Sequence, residues 1–273
     1  MNILIASDME GVTGVVTWEQ VTSGQADYQR FRRLMTLDVN AAVQGAFDAG
    51  ATTVTVTDGH ANGTNLLLEE LDERVRLNCG SPSPLSMVQG LADVDGVLFI
   101  GYHARAGADN AVLAHTWSSR TVANLWLNDQ LVGEYGLNAA VAGHFGVPVL
   151  MISGDQTACA QAVELLGPLE VAVVKQASGF SSAECLPPAV TGVLIREAAR
   201  RAVERLKAGN APMPFQVEKP VRVAVDWLQP AMADRAVLLP GAHRRGLRVE
   251  FIAGDMLEAY TWFRSAVAFA SVG

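Results

Sequence analysis

Hydrophobic positions along this chain follow two rhythms. Short runs of consecutive apolar or β-branched residues read as buried strands at 3–6, 53–57, 96–101, 147–152 and 171–174. Between the first two, Tyr28, Phe31, Leu34, Met35, Val39, Ala42, Val43 and Phe47 recur at spacings of three and four, which predicts a helix over 27–49. Asp27 is placed to cap that helix and Gly50 to stop it. Strand, helix and strand form a βαβ unit, whose two strands should run parallel.

The same reading continues downstream. A polar loop is expected over 17–25, and a helix with a short strand over 66–77. Ser81-Pro82-Ser83-Pro84 breaks the chain before a short helix at 85–91. A hairpin over 123–127 and 130–132 turns at Asn128-Asp129, and a helix of small residues covers 136–145. Asp155 caps a further helix that Gly167-Pro168 ends.

Past residue 174 the pattern changes. Residues 176–188 are rich in Ser, Gly and Pro and read as a linker. A helix over 189–207 carries Arg196, Arg200, Arg201 and Arg205 on one side, which reads as a solvated basic face. Strands at 221–227, 236–239 and 247–252 precede a closing helix that starts at Asp255, with Glu258 completing a capping box. The fold class expected is α/β: a mainly parallel sheet flanked by helices over 1–176, then a smaller C-terminal α+β two-layer domain over 187–273 that contributes to assembly.

Composition narrows the function. Half of the 273 residues are hydrophobic and 18% are charged, which gives a compact core and no sign of disorder. A net charge of −8 argues against a nucleic-acid partner. No apolar run is long enough for a membrane span. The first strand begins almost at Met1, with no room for a signal-peptide core. Cys79, Cys159 and Cys185 are scattered and form no CxxC pair, so neither a thiolate zinc site nor a disulfide framework is expected, and a reducing cytoplasm fits.

Three predicted strands end in groups that can bind metal: Asp8 with Glu10, then His60, then His103. Sites in open α/β sheets form beyond the carboxyl ends of parallel strands, so these groups converge if the strands are neighbours. Glu134, between the hairpin and a helix, could close the set. Each has a plainer reading. Asp8 could cap a turn, either histidine could be a hydrogen-bonded cap, and Glu134 suits a helix N-terminus. The repetition at successive strand ends favours metal. Three carboxylates and two imidazoles suit Zn²⁺, and their charge balances two ions and a bridging hydroxide better than one ion. His115 lies outside a strand end, where it could act as general base or remain a packed structural histidine. His144 and His243 read as structural. HExxH, Walker, GxGxxG and GxSxG motifs are absent.

Taken together, Ser7-Asp8-Met9-Glu10-Gly11, Asp58-Gly59-His60, Gly101-Tyr102-His103-Ala104-Arg105, Gly133-Glu134-Tyr135-Gly136-Leu137-Asn138-Ala139 and Asp255-Met256-Leu257-Glu258-Ala259-Tyr260 resemble the D-aminopeptidase (DppA-like) family of zinc peptidases. Pro84-Leu85-Ser86-Met87-Val88-Gln89-Gly90-Leu91 and Val147-Pro148-Val149-Leu150-Met151 with Gly154-Asp155 extend the match over nearly the whole chain. The resemblance implies two zinc ions per subunit held by Asp8, Glu10, His60, His103 and Glu134, and a catalytic role for His115. It also implies cleavage of short peptides or amino-acid amides with an N-terminal D-residue, and ten subunits in two stacked five-membered rings. Residues 106–110 and 117–120 carry no motif of that family. Two rival readings remain: a dinuclear hydrolase of another amide or a phosphate ester, and a metal-stabilised peptide-binding module without turnover.

Overall fold

The computed structural model describes residues 1–272. In chain order the elements are β1 (Asn2–Ser7), α1 (Trp18–Val21), α2 (Tyr28–Asp48), β2 (Thr53–Asp58), β3 (Arg76–Asn78), β4 (Gly96–Ile100), β5 (Val122–Leu127) and β6 (Gln130–Val132). They continue as α3 (Glu134–His144), β7 (Val149–Asp155), α4 (Gln156–Leu166), β8 (Glu170–Gly179), β9 (Ser182–Cys185) and α5 (Pro188–Lys207). The last are β10 (Val221–Trp227), α6 (Pro230–Ala236), β11 (His243–Arg245), β12 (Arg248–Ala253) and α7 (Met256–Ala270).

Seven strands form one sheet in the order β3-β2-β1-β4-β7-β8-β9, parallel throughout except for the edge strand β9. Side-chain alternation along β1 divides the core in two. Ile3 and Ile5 pack with Phe31, Met35, Val39 and Val43 of α2 and with Ile195, Ala198 and Val203 of α5. Leu4 and Ala6 face the other way, into a core shared with α3, α7 and the second sheet. That second sheet is antiparallel, in the order β11-β12-β10-β5-β6.

The α/β class is as expected, and four local expectations need correction. Residues 66–77 hold only a single 3₁₀ turn, Leu68–Glu70, before β3. The polar loop at 17–25 contains the short helix α1. The stretch read as a linker at 176–188 instead extends β8 and returns as β9, because Ser and Gly also suit an exposed edge hairpin. Residues 236–239, read as a strand, instead close the helix α6, which Pro230 opens, and turn away from it.

The two sheets also do not divide where the sequence places the boundary. The β5–β6 hairpin lies in the second sheet beside β10, and α5 packs on α2 against the first. The basic side of α5 is paired with carboxylates: Arg196 with Asp48, Arg200 with Glu197 and Glu204, and Arg201 and Arg205 with Glu170.

Candidate metal centre

Strands β2, β1 and β4 are adjacent and level, with Ser7 opposite both Asp58 and Ile100. Their loops therefore leave the sheet side by side. The β1 and β4 loops interlock: the backbone N–H of Gly11 donates to the Gly101 carbonyl at 2.8 Å. A Cβ on Gly11 would stand 1.9 Å from the Tyr102 carbonyl oxygen, so only glycine fits there.

Asp8, Glu10, His60, His103, His115 and Glu134 are all buried and meet in one pocket. His60 Nδ1 lies 3.2 Å from Asp8 Oδ1 and 3.1 Å from Glu10 Oε2. His103 Nε2 lies 2.9 Å from Glu134 Oε1 and 3.4 Å from Asp8 Oδ2. His115 Nε2 is 3.6 Å from Glu134 Oε1 and 3.9 Å from Glu10 Oε1. The His103 and His115 rings stack with centroids 3.9 Å apart, and Trp18 meets His115 edge-on. His144 and His243 lie apart, on α3 and β11.

Backbone carbonyls fix each imidazole. His60 Nε2 donates to Val21, His103 Nδ1 to Ala104 and His115 Nδ1 to Leu113, at 2.8, 3.0 and 2.8 Å. The opposite nitrogen of each ring faces the carboxylates and, once deprotonated, has its lone pair aimed at the place a metal would occupy, the arrangement typical of metal-binding histidines. Further groups hold the loops. Asp58 accepts from Asn65 and Leu66, and Asn65 donates to the His60 carbonyl at 2.6 Å. The Trp117 N–H donates to Glu134 Oε1 at 2.7 Å.

The donor set fits a metal. Asp8 Oδ2 and His103 Nε2 are buried and make no hydrogen bond, although they face one another. Two overlapping groups have ligand atoms close enough to share an ion: Asp8, Glu10 and His103, and His103, His115 and Glu134.

Without metal, protons take the place of the cations. Burial opposes a charged His60, but Glu10 and Asp8 beside it hold the imidazole well above the usual histidine range. Burial likewise opposes a charged His103, and Glu134 and Asp8 outweigh it. Burial pushes the Asp8 carboxyl up, but His103 and His60 draw it well below its usual range. For His115, burial and the neighbouring charge of His103 lower the imidazole, leaving a neutral base.

One supporting residue escapes the sequence reading. Lys175, only 1% exposed, sends its ammonium to the carbonyls of Glu10, Val12 and Val15 at 2.7, 3.0 and 2.7 Å. Its signal is a lysine that directly follows the apolar run 171–174.

The pocket opens into a cavity of about 850 Å³, walled by Trp18, Trp117, the serine-rich stretch 81–86 and α7. Carboxylates and oriented imidazoles gathered at the strand ends of a parallel sheet, beneath a substrate-sized cavity, define a metal-dependent hydrolase. The chain belongs to the D-aminopeptidase family, peptidase M55, which matches residues 1–265. It is thus a metallo-aminopeptidase. A D-aminopeptidase of Bacillus subtilis (strain 168) is 38% identical over 266 residues, covering 95% of this chain and 94% of that one. The structure of Zn-dependent D-aminopeptidase DppA from Bacillus subtilis, described as a self-compartmentalizing protease, superposes with a TM-score of 0.96 at 36% identity. That match covers 100% of this chain and 99% of the other.

Proposed function

We propose that this enzyme removes N-terminal D-residues from short peptides and amino-acid amides. It would do so with two zinc ions held by Asp8, Glu10, His60, His103 and Glu134. The observation that carries the reading is the buried, hydrogen-bond-free pair Asp8 Oδ2 and His103 Nε2 at the centre of the carboxylate–imidazole cluster. Two divalent ions suit three buried carboxylates and two imidazoles, since a single ion would leave the carboxylates in excess. Zinc supplies Lewis acidity and makes a water nucleophilic near neutral pH.

The protein's own groups then do the following. His115, its Nδ1–H fixed on Leu113, presents a neutral Nε2 beside Glu134 and accepts or returns a proton at that atom. The buried end of the cavity, lined by Asp8, Glu10 and Glu134, would receive the substrate's N-terminal amine in its neutral form, because zinc would offset the carboxylate charge there. Trp18 and Trp117 shield that end from water.

The similar structure's description as self-compartmentalizing supports an assembly with enclosed active sites, which we take to be a decamer of two five-membered rings. All three cysteines are free, two of them exposed, which supports a cytoplasmic site of action. Among the described residues, no helix is long and apolar enough to cross a membrane.

The test is hydrolysis of matched D- and L-aminoacyl amides and dipeptides, together with a phosphate ester, by zinc-loaded protein. Cleavage confined to the D-aminoacyl substrates supports the reading. Turnover of the ester alone, or of none, overturns it.

A further inference from the structure

Arg120 and Arg264 line the cavity, and among the described residues no lysine joins them. Arg264 is engaged. Its Nη1 donates to the Pro84 carbonyl at 2.7 Å and its Nη2 to the Ser83 carbonyl at 2.9 Å, and its guanidinium lies over the Tyr260 ring. The Arg120 side chain makes no hydrogen bond or ion pair with any described residue, so its five donors are available.

Its backbone, by contrast, is tied down on both sides. The Ser118 carbonyl accepts from the N–H groups of Thr121 and Val122 at 3.2 and 3.1 Å, which closes a turn with Arg120 inside it. Just before the turn, Trp117 is bound to Glu134 at 2.7 Å, and Val122 just after it begins β5. Three extended residues reach at most about 10–11 Å, so the Arg120 backbone lies within that distance of Trp117. A dipeptide spans about 7 Å by the same rule. A peptide whose N-terminal amine sits beside Asp8, Glu10 and Glu134 therefore brings its far end within range of a flexible arginine.

The charges match as well. A short peptide with its amine held at the metal centre presents a carboxylate at its far end, and the cavity carries a free cation on its wall. A guanidinium meets a carboxylate in a paired, planar geometry that an ammonium cannot copy.

Resting on the peptidase reading, we propose that Arg120 binds the substrate's C-terminal carboxylate. Between two peptides that differ only at that end, the free acid is then preferred over the capped form.

Two substrates differing only at that end test this: D-alanyl-D-alanine and its C-terminal amide, each with wild type, Arg120→Gln and Arg120→Lys. Wild type is expected to prefer the free acid. In Arg120→Gln the acid-to-amide ratio of kcat/KM should fall roughly ten- to hundredfold, mostly through KM, as for loss of one charge-assisted contact. Arg120→Lys should recover part of it. An unchanged ratio overturns the proposal and leaves Arg120 as a solvated rim residue. If wild type cleaves neither substrate, the peptidase reading falls instead. The carboxylate contact is then read from calorimetric binding of the same two peptides to zinc-loaded protein. Equal affinities overturn it, whereas tighter binding of the acid that is lost in Arg120→Gln supports it.

Discussion

The ammonium of Lys175 lies 2.7 Å from the backbone carbonyl of Glu10, while the Glu10 carboxylate faces His60 from the other end of the same residue. One buried cation thus anchors the loop that brings two carboxylates to the pocket. It also donates to Val12 and Val15, so the Glu10 and Val15 carbonyls depend on a single side chain, while that of Val12 accepts as well from the Val15 N–H at 3.1 Å. Burial lowers this lysine to about 8, against the pull of Asp155, and a charged lysine in such a place is held by its hydrogen bonds.

Replacing Lys175 by Met should therefore cost about 3 kcal/mol, because buried carbonyls are left without donors. Urea unfolding measures that loss. Mass spectrometry should find less zinc per chain after dialysis, since the Asp8–Glu10 loop is no longer pinned.

His115→Ala should lower kcat by roughly 10²- to 10⁴-fold, the range for loss of a proton-transfer group. Zinc content and unfolding midpoint should stay near those of wild type. Loss of zinc together with activity would instead make His115 a ligand, a role its place beside His103 and Glu134 permits.

Metal-free protein should respond to pH in a distinctive way. His60 and His103 are raised in the folded state, so their stabilisation is complete below the unfolded histidine value of about 6.5 and fades as pH rises through the folded values. Asp8 is lowered, so its contribution is present above about 4 and fades as pH falls through its folded value. Metal-free protein should be most stable between these limits. Zinc must displace the imidazole protons, so its affinity should rise with pH and its uptake should release protons. Denaturation at a series of pH values, with and without zinc, checks both statements.

Gly11→Ala tests the interlock of the two loops. The added methyl would press on the Tyr102 carbonyl, next to His103, and the loops would have to separate. A destabilisation of about 3 kcal/mol is expected, with reduced zinc retention, measured by urea unfolding and metal analysis.

The candidate site was legible in the sequence because its chemistry recurs where buried strands stop. β1, β2 and β4 announce themselves as unbroken apolar or β-branched runs, and Asp8, His60 and His103 follow each within a few residues. Glu134 was legible only from its position between hairpin and helix. Other features had no local signal. The pairing of Leu127 with Val223 joins segments far apart along the chain, and no periodicity reports such a register. Residues 182–185 pair along one side only, so a polar, small-residue strand there looks like a tether. Lys175 resembles an ordinary strand-end lysine until the three carbonyls beneath it are known.

The membership of the β5–β6 hairpin in the second sheet bears on how the enzyme is made. Glu134 directly follows that hairpin, whose neighbour β10 is translated much later. A ribosome thus produces Asp8, Glu10, His60 and His103 well before the support for Glu134 exists. Capture of zinc by the full ligand set is therefore expected only after β10 has been made.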